Sequence, residues 1–134
     1  MRLTRYLGTP PPQGLYIDGT SLFLPHKYRI SFKHYGLPAS KPAAEACLEK
    51  AAAQYLLHEV TELMGVPQRT YGYDSVVLGI KPDPRLTWGY WGAAIRAIDS
   101  MWRSWDVIEL EFVIGVQEEG VLGRGFLTTM SSDD

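Results

Sequence analysis

The feature of this sequence that most constrains its fold is a regular stripe of large apolar side chains. All four tryptophans of the chain lie between Thr87 and Trp105. The stripe has spacings of 3, 4, 3, 4 and 3 residues, and its members are Trp88, Trp91, Ile95, Ile98, Trp102 and Trp105. This spacing places the side chains on one face of an α-helix. It predicts an amphipathic helix with Thr87 as its N-cap, packed on a sheet, with most of the tryptophans in the core.

Two glycines in the same stretch, Gly89 and Gly92, raise a second question. Glycine inside a helix costs about 1 kcal/mol relative to alanine. Its presence twice in one turn indicates that something approaches the helix closely, either a ligand or a second chain. On the reverse face, Asp99 has the helical spacing to pair with both Arg96 and Arg103.

Alternating apolar and polar residues predict several strands. In "HKYRISFKHY", residues 26–34 alternate, and one face carries His26, Tyr28, Ile30, Phe32 and His34. "LYIDGTSLFL" predicts a hairpin that turns at Asp18–Gly19. "DSVVLGI" predicts a buried strand, and "VIELEFVIGV", the turn "QEEG" and "VLGRGFLTTM" predict a C-terminal hairpin.

The first helix is predicted to begin at Ser40, with Pro42 in its first turn, and to run to Met64 before stopping at Gly65. The element order is then β-β-α-β-α-β-β. This order predicts an α+β fold, a two-layer sandwich in which two amphipathic helices cover one face of a mostly antiparallel sheet.

The length of 134 residues and the hydrophobic content of 46% are typical of one globular domain. We expect a Pro-rich N-terminal arm over residues 1–13, the domain over 14–130 and a short tail over 131–134. The single cysteine, Cys47, cannot form an intramolecular disulfide and is expected to be an inert core thiol.

Tyr55, His58 and Glu62 form the strongest candidate for catalysis. On a continuous helix their spacing puts the three side chains on one face. A carboxylate raises the basicity of an imidazole, and a tyrosine can donate to a developing oxyanion, so the set suits cyclisation, isomerisation or dehydration. The alternative is an ordinary pair of residues four apart at a solvent-facing helix end. "HEVTE" lacks the second histidine of a zinc-protease motif, so no metal site is predicted. We expect no cofactor.

Aromatic side chains predict where a ligand would lie. We expect an apolar or aromatic molecule between the helices and the sheet, as in most small-molecule pockets. The predicted ligand-binding residues are Trp88, Trp91, Trp102, Tyr28, Phe32 and His34.

The charge and hydropathy of the sequence limit the classes of partner that the protein can have. No apolar run approaches the roughly 18 residues of a membrane span. The N-terminal residues lack the apolar core of a signal peptide, which favours a cytoplasmic location, or secretion if a signal peptide has been removed. The net charge of −2 argues against general nucleic-acid binding, and leaves a local basic strip of Lys27, Arg29 and Lys33 as the weakest alternative.

The segment from Leu86 onward, with "LTWG" opening a helix and "ELEF" and "EEGVLGRG" in a hairpin, resembles the C-terminal module of small uncharacterised fungal proteins. The resemblance covers about the last third of the chain. It implies a compact α+β domain, supplies no catalytic residues, and favours a small apolar ligand because such proteins are linked with specialised metabolism.

Two hypotheses of different classes follow. The first is a cofactor-independent protein that binds a small apolar or aromatic metabolite and promotes acid–base chemistry on it. The second is a non-enzymatic interaction domain, a homodimer or partner-binding module, whose interface is part of the tryptophan stripe.

Overall fold

A computed structural model describes residues 9–130, which form two helices and six strands. The elements in chain order are β1 (Tyr16–Gly19), β2 (Tyr28–Lys33), α1 (Lys41–Tyr55), β3 (Arg69–Tyr73), β4 (Val76–Pro82), α2 (Trp88–Ser104), β5 (Leu110–Val116) and β6 (Gly120–Thr129). The strands make one antiparallel sheet in the order β1-β2-β5-β6-β4-β3. Helix α1 packs on β3 and β4, and α2 lies beside α1 and reaches β2. The predicted fold class, a two-layer α+β sandwich with an antiparallel sheet, is confirmed.

The core lies between the helices and one face of the sheet. Alternate residues of the strands point into it, and Phe32, Phe112, Gly125 and Ile80 form one row across β2, β5, β6 and β4. The row contains a glycine because the ring of Phe112 occupies the space above Gly125. Shape matching of this kind fixes the register of the central strands.

The tryptophan stripe of α2 is core, as predicted. Trp88, Trp91 and Trp102 are at most 3% exposed, and Trp105 is partly buried. The Trp91 ring stacks between those of Tyr71 and Phe112, with centroid distances of 6.3 and 6.1 Å.

Helix α1 begins where the sequence predicts and ends earlier. The Ser40 hydroxyl accepts a hydrogen bond from the Ala43 N–H at 3.3 Å. The predicted end at Met64 is wrong, because the helix stops at Tyr55. Beyond that residue the apolar side chains no longer fall on the face that meets the sheet, and Leu56 and Leu57 are largely exposed. The chain instead turns back as loop 56–66, toward the start of α2.

Two strand predictions also need correction. The chain does not make a tight turn at Asp18–Gly19. Instead, β1 ends at Gly19, loop 20–27 follows, and β1 pairs with β2. The sequence order also lacked β3, an edge strand in which Tyr71 alone is buried, so it carries no apolar alternation to detect.

The described part of the Pro-rich arm contacts the domain. Pro11 is buried, the Tyr35 hydroxyl donates to the Pro12 carbonyl at 2.9 Å, and the Asp106 N–H donates to the Thr9 carbonyl at 2.7 Å. The rest of the predicted arm, residues 1–8, and the predicted tail, 131–134, lie outside the described residues.

Substitution of Gly92 tests the close packing of the two helices. A Cβ atom at Gly92 would overlap the ring of Tyr55. We expect Gly92→Ala to lower the free energy of unfolding by about 1–3 kcal/mol, although alanine is the better helix former. Urea denaturation measures the change.

The same substitution in a Tyr55→Ala background is the matched control. Without the ring, Gly92→Ala should be neutral or stabilise the protein by up to about 1 kcal/mol. An equal loss in both backgrounds would show that Tyr55 is not the reason for the glycine.

Candidate functional site

Loop 56–66 caps the first turn of α2 with its backbone. The N–H groups of Trp88 and Gly89 donate to the carbonyls of Glu62 and Val60 at 2.8 and 2.9 Å. These donors have no partner inside the helix. Thr87 is the N-cap as predicted, but its side chain makes no capping bond, because the loop carbonyls take that role.

Gly89 is the point where the two loops meet the helix. A Cβ atom there would lie 2.6 Å from Leu24 Cδ2 of loop 20–27 and 2.8 Å from the Val60 carbonyl oxygen of loop 56–66. Gly92, one turn on, faces Tyr55 in the same way. The close approach that the two glycines indicate is therefore made by the protein's own chain, through the side chains of Leu24 and Tyr55 and the backbone of Val60.

A cleft opens where these elements converge, and we call it the tyrosine cleft. Its volume is about 430 Å³. It is lined by Thr20, Ser21, Phe23, Leu24, Tyr28, Tyr55, Val60, Gly89 and Arg96. Apolar side chains from the loops, two phenols and one guanidinium therefore face the same space.

The wall formed by loop 20–27 is anchored at Tyr90. The Tyr90 hydroxyl accepts a hydrogen bond from the His26 N–H at 3.0 Å and donates to the His26 carbonyl at 3.2 Å. The Tyr90 ring meets Tyr28 edge-on with a centroid distance of 6.4 Å. These contacts fix the end of the loop and hold Tyr28 against the cleft.

A second cleft, of about 560 Å³, adjoins the first at Thr20 and Tyr28. It lies on the ends of β1, β2 and β5. Two of the charged side chains that line it, Asp18 and Arg29, already pair with each other through contacts of 2.6 and 3.0 Å. The larger cleft therefore offers fewer unpaired groups to a ligand than its volume suggests.

His58 and Glu62 lie together, although not on a helix. The His58 ring stacks on Trp88 with a centroid distance of 3.9 Å and an angle of 3°, and its Nδ1 donates to Glu62 Oε2 at 2.8 Å. This hydrogen bond is the main cause that holds the pKa of Glu62 below its ordinary value. Behind them, the Arg69 guanidinium lies 5.0 Å from the Trp88 ring centroid.

The prediction that Tyr55, His58 and Glu62 share one helical face is wrong, because α1 ends at Tyr55. The Tyr55 side chain lines the tyrosine cleft, whereas His58 and Glu62 do not line it. His58 meets Tyr55 through its backbone N–H, which donates to the Tyr55 carbonyl at 3.1 Å. The structure thus holds the His58–Glu62 pair and separates it from the phenol.

The predicted ligand-binding residues fall into three places. Tyr28 lines the tyrosine cleft. His34 lies on the outer face of the sheet, where its Nδ1 is 2.8 Å from Glu111 Oε1. The remaining four are packed in the core rather than beside a cleft, and they are Phe32, Trp88, Trp91 and Trp102.

Six of the residues that line the cleft are not predicted as site residues by the sequence. Five of them are in loops, where residue spacing does not reveal which side chains come together, and they are Thr20, Ser21, Phe23, Leu24 and Val60. The sixth, Arg96, lies on the polar reverse face of α2, and its spacing does not show that a loop folds against it.

The described residues offer neither a metal-binding cluster nor an activated thiol. Within residues 9–130, no group of three or more His, Cys, Asp or Glu side chains is arranged to hold a metal ion. The Cys47 thiol is buried and donates to the Val76 carbonyl at 3.3 Å, and burial raises its pKa. A raised pKa disfavours the nucleophilic thiolate.

Comparison with protein-family models found no match, and comparisons with curated proteins and with solved structures found none either. The resemblance of the segment from Leu86 onward therefore stays an expectation. Neither helix in the described part of the chain is long and apolar enough to cross a bilayer.

Removal of the Glu62 carboxylate tests the His58–Glu62 contact. A folded-state pKa below the ordinary value of 4.5 stabilises the fold above that pH, and this contribution is lost as the pH falls through the folded-state pKa. Glu62→Gln should therefore lower Tm relative to wild type at about pH 6–7, and the difference should shrink below about pH 4. Thermal denaturation followed by circular dichroism measures both values.

Glu45→Gln is the control, because it removes one negative charge from an exposed helical position that forms no ion pair with a residue in 9–130. A Tm difference for Glu62→Gln that persists unchanged to about pH 3 would contradict the assignment.

Proposed function

We propose that this protein binds a small, partly apolar molecule in the tyrosine cleft. The observation that carries the proposal is the convergence of Tyr28 and Tyr55, drawn from a strand and a helix end, on one cleft walled by apolar loop residues. Its volume of about 430 Å³ falls within the range of small-molecule sites.

The polar groups of the cleft support a ligand with hydrogen-bonding atoms. Neither the Tyr28 nor the Tyr55 hydroxyl makes a hydrogen bond to a side chain or backbone group elsewhere in residues 9–130. The Ser21 hydroxyl accepts a hydrogen bond from the Phe23 N–H at 3.2 Å, and its oxygen has a second lone pair and an O–H donor for a ligand. A few such groups on an apolar wall are typical of sites that orient a ligand.

Acid–base catalysis by His58 stays a prediction from the sequence. The imidazole is held flat on Trp88 by its ring contact and by Glu62, which favours a role in closing the core over Trp88. The proposal is therefore binding of a metabolite, with the Tyr55 hydroxyl as the polar group from the predicted catalytic set that meets the ligand.

A second candidate function is an interaction module, and one observation favours it. Leu22 and Phe23, in loop 20–27, are 99% and 73% exposed, and Leu57 in loop 56–66 is 82% exposed. Exposed apolar patches also mark interfaces. This surface differs from the interface that the sequence suggested, because the indoles of α2 are buried.

Truncation of Phe23 tests the proposed site. We expect wild-type protein to bind the neutral apolar dye Nile red with a fluorescence increase, and Phe23→Ala to weaken the affinity by about tenfold, since a buried phenyl contributes about 1.5–3 kcal/mol. Fluorescence titration measures the affinities.

Leu37→Ala is the matched control, because Leu37 is 72% exposed and lines none of the clefts described above. Its affinity for the dye should equal that of wild type. Equal weakening by both substitutions would contradict the site, and concentration-dependent dimerisation abolished by Phe23→Ala in sedimentation would favour the interaction module instead.

A further inference from the structure

We infer that the molecule bound in the tyrosine cleft is an amphiphilic carboxylate, an acid with an aliphatic chain, whose carboxylate pairs with Arg96. The inference rests on the proposed function and adds the chemical class of the ligand. Two observations carry it: Arg96 has no ion-pair partner within residues 9–130, and exposed apolar side chains lie on the two loops that border the cleft.

Arg96 is a cation without a counterion in the described part of the chain. It is exposed on α2, and no carboxylate in residues 9–130 lies within the 4.0 Å of an ion pair. Asp99, which the spacing would allow to serve both arginines of this face, pairs with Arg103 at 2.9 Å. A guanidinium is suited to binding a carboxylate through two parallel hydrogen bonds.

Arg96 borders the tyrosine cleft. Its side chain lines both the tyrosine cleft and the groove between α1 and α2. That groove also contains the carboxylates Glu45, Glu49 and Asp99. These acids repel any anion near Arg96, and they repel a phosphate dianion more strongly than a carboxylate monoanion.

The aliphatic chain of such a ligand needs an apolar environment, and the two loops that border the cleft provide one. Five of the ten large hydrophobic side chains that are exposed in residues 9–130 lie on the two loops that border the cleft. We call them the apolar rim, and they are Leu22, Phe23, Leu56, Leu57 and Leu63. Phe23 lines the cleft, and Leu22 and Leu56 directly adjoin lining residues in the chain.

The guanidinium of Arg96, unpaired within residues 9–130, and the apolar rim together suit an amphiphilic ligand. A carboxylate at Arg96 would place the chain between loop 20–27 and loop 56–66, where it would cover leucines that are otherwise in water. The phenols of Tyr28 and Tyr55 are able to donate further hydrogen bonds to the carboxylate.

The test compares decanoic acid with decanol, which has the same chain and no charge. Isothermal titration below micellar concentrations should show tighter binding of decanoic acid by wild-type protein. Arg96→Gln should weaken the acid about tenfold or more and leave decanol within about twofold, because hydrogen bonds to charged groups are the stronger ones. Arg96→Lys keeps the charge and should retain part of the preference.

Arg124→Gln is the control, because Arg124 is also an exposed arginine, lies on the outer face of the sheet and lines neither cleft. It should bind the acid as wild type does. Equal affinities for acid and alcohol, unchanged in Arg96→Gln, would overturn the carboxylate inference while leaving the proposed function intact.

If the protein binds neither decanoic acid nor decanol nor Nile red, both proposals are overturned. A third arm uses vesicles of phosphatidylcholine containing decanoic acid. Co-sedimentation with these vesicles, without binding of the monomeric acid, would overturn the inference in favour of a lipid surface as the partner.

Discussion

The fold depends on the close packing of α2 against the rest of the protein. The stripe of α2 fills the core above the sheet, and the two glycines at its start let neighbouring chain segments approach its backbone. Tyr55 packs over Gly92, while Val60 and Leu24 pack over Gly89. Because Tyr55, Val60 and Leu24 also line the tyrosine cleft, the contacts that hold α2 in place build the site as well.

The capping of α2 couples fold and site in a second way. The free N–H groups of its first turn are bound by carbonyls of loop 56–66 rather than by the Thr87 side chain. The same loop carries His58, whose ring covers Trp88. A polar pair that suggests catalysis in the sequence thus closes the core, and Leu56, Leu57 and Leu63 of the same loop are left exposed.

The sequence predicted the helix and strand faces that follow from residue periodicity, and it missed the contacts that the loops make. Residue spacing identified the Trp88–Trp105 stripe and the alternation of Ile30 and Phe32, and residue type identified Ser40 as the N-cap of α1. The sequence prediction extended α1 past Tyr55, because Gly65 is a typical residue after the end of a helix and no comparable stop signal follows Tyr55. Of the predicted site residues, Tyr28 and Tyr55 meet at one cleft, whereas Arg96 and Phe23 join them through folding of loops that no spacing rule describes.

The claim that the tyrosine cleft is a ligand site is tested most directly by mapping a bound acid on the protein. Backbone amide spectra of isotope-labelled protein, recorded during titration with decanoic acid, would locate it. We expect saturable shifts at Phe23, Val60 and Gly89, which lie on the three segments that meet at the cleft, and no shifts at Lys33 and Arg124 on the outer face of the sheet. Shifts confined to the outer face, or none at saturating acid, would contradict it.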